Sequence, residues 1–209
     1  MSSAAAGRPR ARKGEGERLR EDILRETERL LIRTGDQEAV SIRAIASAVG
    51  VTPPSIYLHF ADKAELIFQV CALHYAALDA AIEEAARAGT DPLDELRLRG
   101  RAYVRFGLDH PEQYRILFMS KPWKTPASWG PEAMLENAAF SHHLDAVTRA
   151  FPDADDPHLV AISLWIVAHG IVSLLISNPE FPWPDVDALV DHLFMAYVAG
   201  MIAGQVSSR

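Results

Sequence analysis

The sequence predicts an all-α protein of about nine helices. Prolines and glycines divide its 209 residues into segments, and in most of these the apolar residues recur at intervals of three and four. The alternating pattern of a β-strand is nearly absent from the sequence. With 49% hydrophobic and 23% charged residues the chain can bury a sizeable core, which excludes a wholly disordered protein.

The first two predicted helices end at glycines. Residues 17–35 carry an apolar stripe, and Gly35 is a natural C-terminal stop. Residues 41–50 form a shorter amphipathic segment, which begins at the capping residue Ser41 and ends at Gly50. Gly50 permits the positive φ of a tight turn, so a further helix is expected to follow closely.

A third, short helix is expected over residues 52–60. Thr52 is expected to cap it, and Pro53 and Pro54 occupy the first two helical positions, whose amide hydrogens have no intrahelical acceptor. Because Pro54 has no amide hydrogen, the Ser55 amide is expected to donate to the Thr52 hydroxyl.

The rest of the chain is also predicted to be helical. The expected helices lie at residues 62–88, 92–109, 111–119, 131–151, 156–178 and 185–205. The segment 121–131 resembles a loop that carries Trp123 and Trp129. These tryptophans either fix the loop to the helical bundle or, in the case of Trp123, form part of a ligand lid.

Charge is distributed unevenly along the chain. The formal net charge is −7, but residues 1–60 hold ten basic and eight acidic side chains, so the acidic excess lies in the remainder. Residues 1–16 are expected to form a flexible basic arm where a polyanion would bind. The basic residues of this arm are Arg8, Arg10, Arg12 and Lys13.

Targeting and redox signals point to the cytoplasm. The basic arm lacks the apolar core of a signal peptide, and no run of 18 apolar residues suggests a membrane span. The single cysteine, Cys71, cannot form an internal disulfide or a thiolate-rich metal site. We therefore expect a soluble protein in a reducing compartment.

Residues 40–66 carry the pattern of a helix-turn-helix, whose second helix enters the DNA major groove. Their sequence, VSIRAIASAVGVTPPSIYLHFADKAEL, closely resembles the DNA-binding signature of the tetracycline-repressor (TetR) family. The matching features are Ile45-Ala46, Val49-Gly50-Val51, Ile56-Tyr57, His59-Phe60 and the segment from Lys63 to Leu66. The resemblance implies an N-terminal three-helix DNA-binding domain at residues 17–61. It also implies a helical ligand-binding and dimerisation domain at residues 62–209.

The resemblance also implies which side chains contact a double-stranded DNA operator. It places Arg43, Ser55 and Tyr57 near bases, and His59 and Lys63 near phosphates. The full set of predicted DNA-binding residues is Arg43, Thr52, Pro53, Pro54, Ser55, Tyr57, His59 and Lys63.

The residues themselves leave alternatives at several of these positions. Tyr57 lies opposite the inward face of its helix, where its ring can meet a thymine methyl or its hydroxyl a phosphate. Arg43 fits either a guanine or a phosphate, and His59 fits either a phosphate contact or a packing role. Lys63 fits a phosphate contact or an ion pair with the preceding aspartate. The pair Pro53-Pro54 departs from the polar-Gly pair more usual in the family, so operator specificity does not carry over.

Two segments of the second domain also resemble part of the family. Residues 165–174, WIVAHGIVSL, resemble the Trp...His-Gly signature of one C-terminal subclass, and residues 110–115 match the turn before its sixth helix. Gly170 is expected to let another helix approach closely. Trp165 and His169 share a helix face and fit either interhelical packing or a pocket wall. The predicted ligand-binding residues are Tyr103, Phe106, Phe118, Trp165 and His169.

The last helix predicts self-association. Its apolar face is too wide for a helix covered on one side only, and Ala196, Gly200 and Gly204 place small residues at four-residue spacing. We expect a homodimer through the last two helices that reads a palindromic operator. The expected activity is that of a repressor released by a small apolar or aromatic effector.

Other functional classes find less support. The sequence has no nucleophile-elbow, dinucleotide-binding, phosphate-loop or zinc-protease motif, so we expect no enzyme and no cofactor. His142, His143 and Asp145 are of metal-ligating types, but adjacent histidines on a helix diverge by about 100°, so we expect no metal site. A helical protein-interaction module without DNA binding is the main alternative.

Overall fold

The computed structural model describes residues 15–119 and 138–207, which are almost entirely helical. Within these ranges there is no strand, and the all-α prediction is confirmed. The helices are α1 (Glu15–Thr34), α2 (Ile42–Val49), α3 (Pro53–Ile56), α4 (Lys63–Ala86), α5 (Pro92–Asp109), α6 (Pro111–Tyr114), α7 (Ala138–Ala150), α8 (Pro157–Ser177) and α9 (Val186–Ser207). A π-helix at Arg115–Met119 continues directly from α6. Residues 1–14 of the predicted basic arm and the loop with Trp123 and Trp129 lie outside the described residues, whereas residues 15 and 16 of the predicted arm belong to α1.

The described residues form two compact units. The first unit comprises residues 15–71, and the second comprises residues 72–119 and 138–207. Helix α4 belongs to both units, because the division falls after Cys71. The domain boundary predicted after residue 61 stays a prediction.

In the first unit, α1 packs against α2, and α2 packs against α3. The buried residues of α1 recur at helical spacing: Ile23, Leu24, Thr27, Leu30 and Leu31. The polar Thr27 is tolerated in this stripe because its hydroxyl donates to the Ile23 carbonyl at 2.7 Å. Gly35 ends the helix as predicted, with φ 62° and its amide 2.8 Å from the Leu31 carbonyl.

In the second unit, α5 lies at the centre and contacts α6, α7, α8 and α9. One core cluster surrounds Val147 of α7 and Phe194 of α9. The other surrounds Val104 of α5, Tyr114 of α6 and Val172 of α8. The second unit is therefore a bundle built around a single helix.

Among the described helix glycines, Gly107 of α5 is the one at which another helix comes closest. A Cβ atom at Gly107 would lie 2.5 Å from Cγ1 of Val172 and 3.0 Å from Cδ2 of Tyr114. A Cβ atom at Gly170 would meet no described atom within 4 Å. Val172, the residue that packs on α5, lies about 200° around α8 from Gly170, so Gly170 faces away from α5. The close helix approach predicted at Gly170 stays a prediction.

Ion pairs hold α9 against α5. Arg101 forms a close pair with Asp191, Arg97 lies 3.3 Å from the same carboxylate, and Arg105 Nε lies 3.0 Å from Asp187. The Arg101 and Arg97 guanidinium groups lower the pKa of Asp191. This arrangement orients the charged face of α9 and leaves its apolar face for the core.

By length and composition alone, α4 and α8 could each cross a membrane. Both helices also contribute to the protein core, α4 through Leu78 and α8 through Val160 and Val172. The core helix of a soluble protein meets the same criteria, so the observation is weak evidence for a membrane span. The expectation of no membrane partner stays a prediction.

Candidate DNA-reading unit and ligand cavity

The segment 41–63, here termed the reading unit, begins with a capped helix and a glycine turn. The Ser41 hydroxyl accepts a hydrogen bond from the Ala44 amide at 3.1 Å, as expected of an N-cap. Gly50 has φ 78° and closes α2 in the left-handed conformation. Both predictions are confirmed, and together they fix where α2 begins and ends.

The predicted cap of α3 is right in its donor, the Ser55 amide, but wrong in its acceptor. The Ser55 amide donates to the Thr52 carbonyl at 2.9 Å, and not to the Thr52 hydroxyl. The backbone carbonyl satisfies this amide in the tight first turn that Pro53 and Pro54 impose. The Thr52 hydroxyl instead lies 3.0 Å from the Ser55 hydroxyl. The reading unit therefore has a pair of hydroxyls at the start of α3.

Burial divides the reading unit into an inner and an outer side. Ile45, Ile56 and Phe60 are fully buried, which fixes α3 against α2. Tyr57 is 51% exposed and Leu58 is 83% exposed. Tyr57 is thus free of the core as predicted. The sequence did not single out Leu58, because the exposure of a lone leucine is not evident from the pattern.

The basic residues of the reading unit also lie at its surface. Arg43 is exposed on α2, while His59 and Lys63 are half-buried. Asp62 accepts a hydrogen bond from the Glu65 amide at 2.8 Å, and the Glu65 carboxylate accepts one from Ala61. This capping box engages Asp62 and positions Lys63 in the first turn of α4.

The second unit encloses a cavity of about 280 Å³ between α4, α5, α7, α8 and α9. Its walls are largely apolar, with Leu78 and Ile82 from α4 and Phe140 from α7. Of the predicted ligand-binding residues, Tyr103, Phe118 and Trp165 line it. This combination of apolar walls and a few polar groups is typical of small-molecule sites.

Phe106 and His169 do not lie in the wall of this cavity. Phe106 is buried and its ring centroid lies 4.7 Å from that of His110. Three residues of helix turn it about 60° away from Tyr103 and so out of this wall. Its role in ligand binding stays a prediction. His169 lies behind the wall, where it contacts two tyrosines.

A chain of hydrogen bonds connects the cavity wall to His169. The Trp165 indole nitrogen donates to the Tyr103 hydroxyl at 3.2 Å, and the Tyr114 hydroxyl lies 2.6 Å from His169 Nδ1. Tyr103 and Tyr114 pack edge to face at 6.2 Å. Burial raises the pKa of both tyrosines and lowers that of His169, which favours the neutral form of all three groups. The polar groups of this wall therefore satisfy one another.

The cavity lining also contains polar residues that the sequence did not predict, namely Tyr75, Arg97, Arg99 and His143. The buried Arg99 guanidinium lies 2.7 Å from Glu83 and 3.2 Å from Glu95. His143 Nε2 lies 3.0 Å from the Ala161 carbonyl, and burial lowers the pKa of this histidine. The cavity therefore offers a ligand a neutral histidine and a cation that is already paired.

Two family models match the chain. A model of bacterial regulatory proteins of the tetR family matches residues 23–70, and a tetracyclin repressor-like C-terminal domain matches residues 96–197. The chain belongs to the TetR family. TetR-family proteins are DNA-binding transcription regulators that dimerise, and they are not enzymes. Assignment to the Trp...His-Gly subclass stays a prediction.

Individual relatives agree with this assignment. The HTH-type transcriptional activator FasR of Mycolicibacterium smegmatis is 27% identical over 154 residues, which cover 73% of this chain and 67% of FasR. A TetR-family transcription regulator from Marinobacter aquaeolei VT8 has a TM-score of 0.69 at 19% identity, covering 88% of this chain and 97% of that one. NalD, the secondary repressor of the MexAB-OprM multidrug efflux pump in Pseudomonas aeruginosa, has a TM-score of 0.61 at 21% identity, covering 89% and 96%. At these identities the two structures establish a shared fold.

Proposed function

We propose that this TetR-family regulator is a cytoplasmic repressor that binds a palindromic operator as a homodimer. A small apolar or aromatic molecule in the cavity lowers its affinity for the operator. The observation that carries the proposal is the exposed Tyr57, held at the surface of a capped helix-turn-helix whose other side is fully buried.

The exposed side chains of the reading unit suit contacts with DNA bases and phosphates. Tyr57 and Leu58 offer apolar surface to a thymine methyl, and the paired hydroxyls of Thr52 and Ser55 offer hydrogen bonds to a base edge or phosphate. Arg43 reads a guanine or holds a phosphate from α2. Lys63, with His59, contacts the phosphate backbone.

Exposed apolar residues on α8 and α9 support the proposed dimer. Leu159, Ile166 and Leu174 of α8 and Met195 of α9 are each more than half exposed. Leaving such side chains in water is unfavourable by about 25 cal/mol for each Å² of apolar surface. The exposed Gly200 nearby leaves space for a second backbone to approach. A two-fold interface of these two helices covers the exposed residues in both chains.

The chemistry of the cavity favours an uncharged effector. Arg99 is engaged by two carboxylates, and the tyrosine, tryptophan and histidine groups around Trp165 are bonded to one another. A phosphorylated or multiply charged molecule would lose its hydration without gaining an unpaired opposite charge. An apolar or aromatic molecule of modest size loses little on entry and gains apolar contacts.

Helix α4 provides a route for the response. Leu78 and Ile82 of α4 line the cavity, and Lys63 is the first residue of the same helix. An effector weakens DNA binding only if it binds better to the conformation that does not fit the operator. A tilt of α4 on effector binding that changes the half-site spacing of the dimer satisfies this requirement.

Selection from a pool of random DNA duplexes tests the DNA-binding half of the proposal. The selected sequences should contain an inverted repeat, and a titration of protein into the best duplex should reach two chains per duplex. Selection of no sequence, or of sites without two-fold symmetry, would contradict the proposed dimeric repressor.

Substitutions in the wall of the cavity test the effector half. A screen of small apolar compounds for release of the selected duplex should identify effectors. Trp165→Ala and His169→Ala should then lose the response to effector while still binding DNA, because the first lines the cavity and the second orients Tyr114 behind it. Phe181→Ala removes an exposed aromatic residue away from the cavity and is the control. If both wall variants responded like the parent, the effector would bind elsewhere.

A further inference from the structure

Outside the cavity and the reading unit, three potential metal ligands converge from two helices. Asp79 and Glu83 lie four residues apart on α4, and His142 lies on α7. Their ligand atoms all lie within 4.8 Å of one another. We propose that these three residues bind a divalent transition-metal ion such as Zn²⁺ or Co²⁺.

The distances between the ligand atoms suit a metal centre. His142 Nδ1 lies 3.0 Å and 3.1 Å from the two Asp79 carboxylate oxygens and 3.6 Å from Glu83 Oε1. Ligands bonded at about 2.0–2.2 Å to a tetrahedral or octahedral ion lie about 2.8–3.6 Å from one another. Only small side-chain movements are therefore needed to admit the ion.

Electrostatics on α4 also favour a cation at this position. Asp79 and Glu83 are both partly buried on the same face of the helix, where like charges four residues apart destabilise each other. A divalent ion between them removes this repulsion. The Arg99 guanidinium, 2.7 Å from Glu83 Oε1, orients the Glu83 carboxylate and also lies 3.2 Å from Glu95.

The two adjacent histidines of α7 have different roles. His143 points inwards, and its Nε2 lies 3.0 Å from the Ala161 carbonyl. His142 points outwards, and the Asp79 carboxylate that it meets lies 63 positions earlier in the sequence. The sequence predicts no metal at His142, His143 and Asp145, which are close in sequence. The contact between α7 and α4 is not evident from the sequence pattern of either helix.

The ligand set indicates the class of metal. One imidazole nitrogen and two carboxylate oxygens form a borderline donor set, which suits Zn²⁺, Co²⁺ and Ni²⁺ better than Ca²⁺ or Mg²⁺. Three protein ligands leave at least one coordination position for water. The ion would join α4 to α7, whose neighbouring residues Ile82 and His143 line the cavity. Metal binding should therefore stiffen that wall of the cavity.

A titration with Co²⁺ tests the site. The full chain is used without a purification tag and is first treated with a chelator to remove bound metal. The visible absorption of Co²⁺ should saturate at one ion per chain, and Zn²⁺ should displace it. His142→Ala and Asp79→Asn should each weaken Co²⁺ binding by at least about tenfold. The control is His192→Ala, which removes an exposed histidine of α9 outside the cluster and should bind Co²⁺ like the parent.

Thermal unfolding gives a second readout that does not depend on DNA or effector. Zn²⁺ should raise the melting temperature of the parent and of the His192→Ala chain, but not that of the Asp79→Asn chain, which keeps the size of the side chain. Equal Co²⁺ affinity in the parent, His142→Ala and Asp79→Asn chains would overturn the proposal. Absence of a saturable Co²⁺ spectrum in the parent would also overturn it.

Discussion

The reading unit and the second unit of this protein differ in where their polar groups lie and in what those groups contact. The reading unit buries its apolar residues Ile45 and Ile56 and leaves Tyr57 at the surface, where a partner can reach it. The second unit instead surrounds a largely apolar cavity, and polar groups in its wall such as Tyr103 and Arg99 are already bonded to protein neighbours. Binding by the first unit should therefore depend on exposed charge and hydrogen bonds, whereas binding by the second should depend on burial and packing.

Tight packing in the second unit predicts the largest effect. Gly107→Ala should lower the free energy of unfolding by about 1–3 kcal/mol, because the new Cβ overlaps the buried Val172 side chain. Gly100→Ala is the matched control on the same helix and should raise stability by about 0.5–1 kcal/mol, since its Cβ would make an ordinary contact of 3.7 Å with Val190 and alanine favours the helix. Urea unfolding followed by circular dichroism measures both changes. Equal effects of the two substitutions would show that Gly107 is not a site of close packing.

Exposure in the reading unit predicts an effect on binding without one on folding. Tyr57→Ala should weaken binding to the selected duplex by about 1–3 kcal/mol, or roughly fivefold to 150-fold, while stability changes by less than about 0.5 kcal/mol. Fluorescence anisotropy with the duplex and a urea titration measure the two quantities. Tyr57→Phe keeps the ring and separates the role of the hydroxyl. A Tyr57→Ala chain that is unfolded would show that the ring belongs to the core.

Buried histidines of the second unit predict a smaller effect of pH on stability. Burial lowers the pKa of His143 and His169, so the unfolded chain takes up protons more readily than the folded one. Their contribution to stability is complete above the usual histidine pKa of about 6.5 and is lost as the pH falls below it. Urea unfolding at a series of pH values should show this decline, and His143→Gln should reduce it. If stability fell with pH equally in His143→Gln and in the parent, the decline would come from other groups.

How far the sequence predicted the structure also differs between the two units. The Ser41 cap and the Gly50 turn depend on residues a few positions apart, and both were predicted correctly. The Thr52 cap was wrong even at this short range, because the backbone carbonyl of Thr52 competed with its hydroxyl for the same amide. Local signals thus determine where the helices lie better than which atom accepts a given hydrogen bond.

In the second unit the errors come from helix rotation and from contacts distant in sequence. Phe106 was predicted to line the ligand pocket with Tyr103, yet its position on α5 turns it out of the cavity wall. The pairing of His142 with Asp79 depends on two helices meeting, which periodicity within either helix does not specify. Apolar spacing predicted that these helices form a core, and only their packing determines which residues enclose the cavity.

The salt dependence of DNA binding tests the central claim most directly, namely that the first unit binds a DNA backbone through exposed charge. Affinity for the selected duplex should fall steeply as salt rises. A plot of log affinity against log salt concentration should have a slope of about −4 or steeper, as expected if each of two chains contacts at least two phosphates. A slope near zero would contradict the account, because Lys63, His59 and the basic N-terminal residues would then make no phosphate contacts.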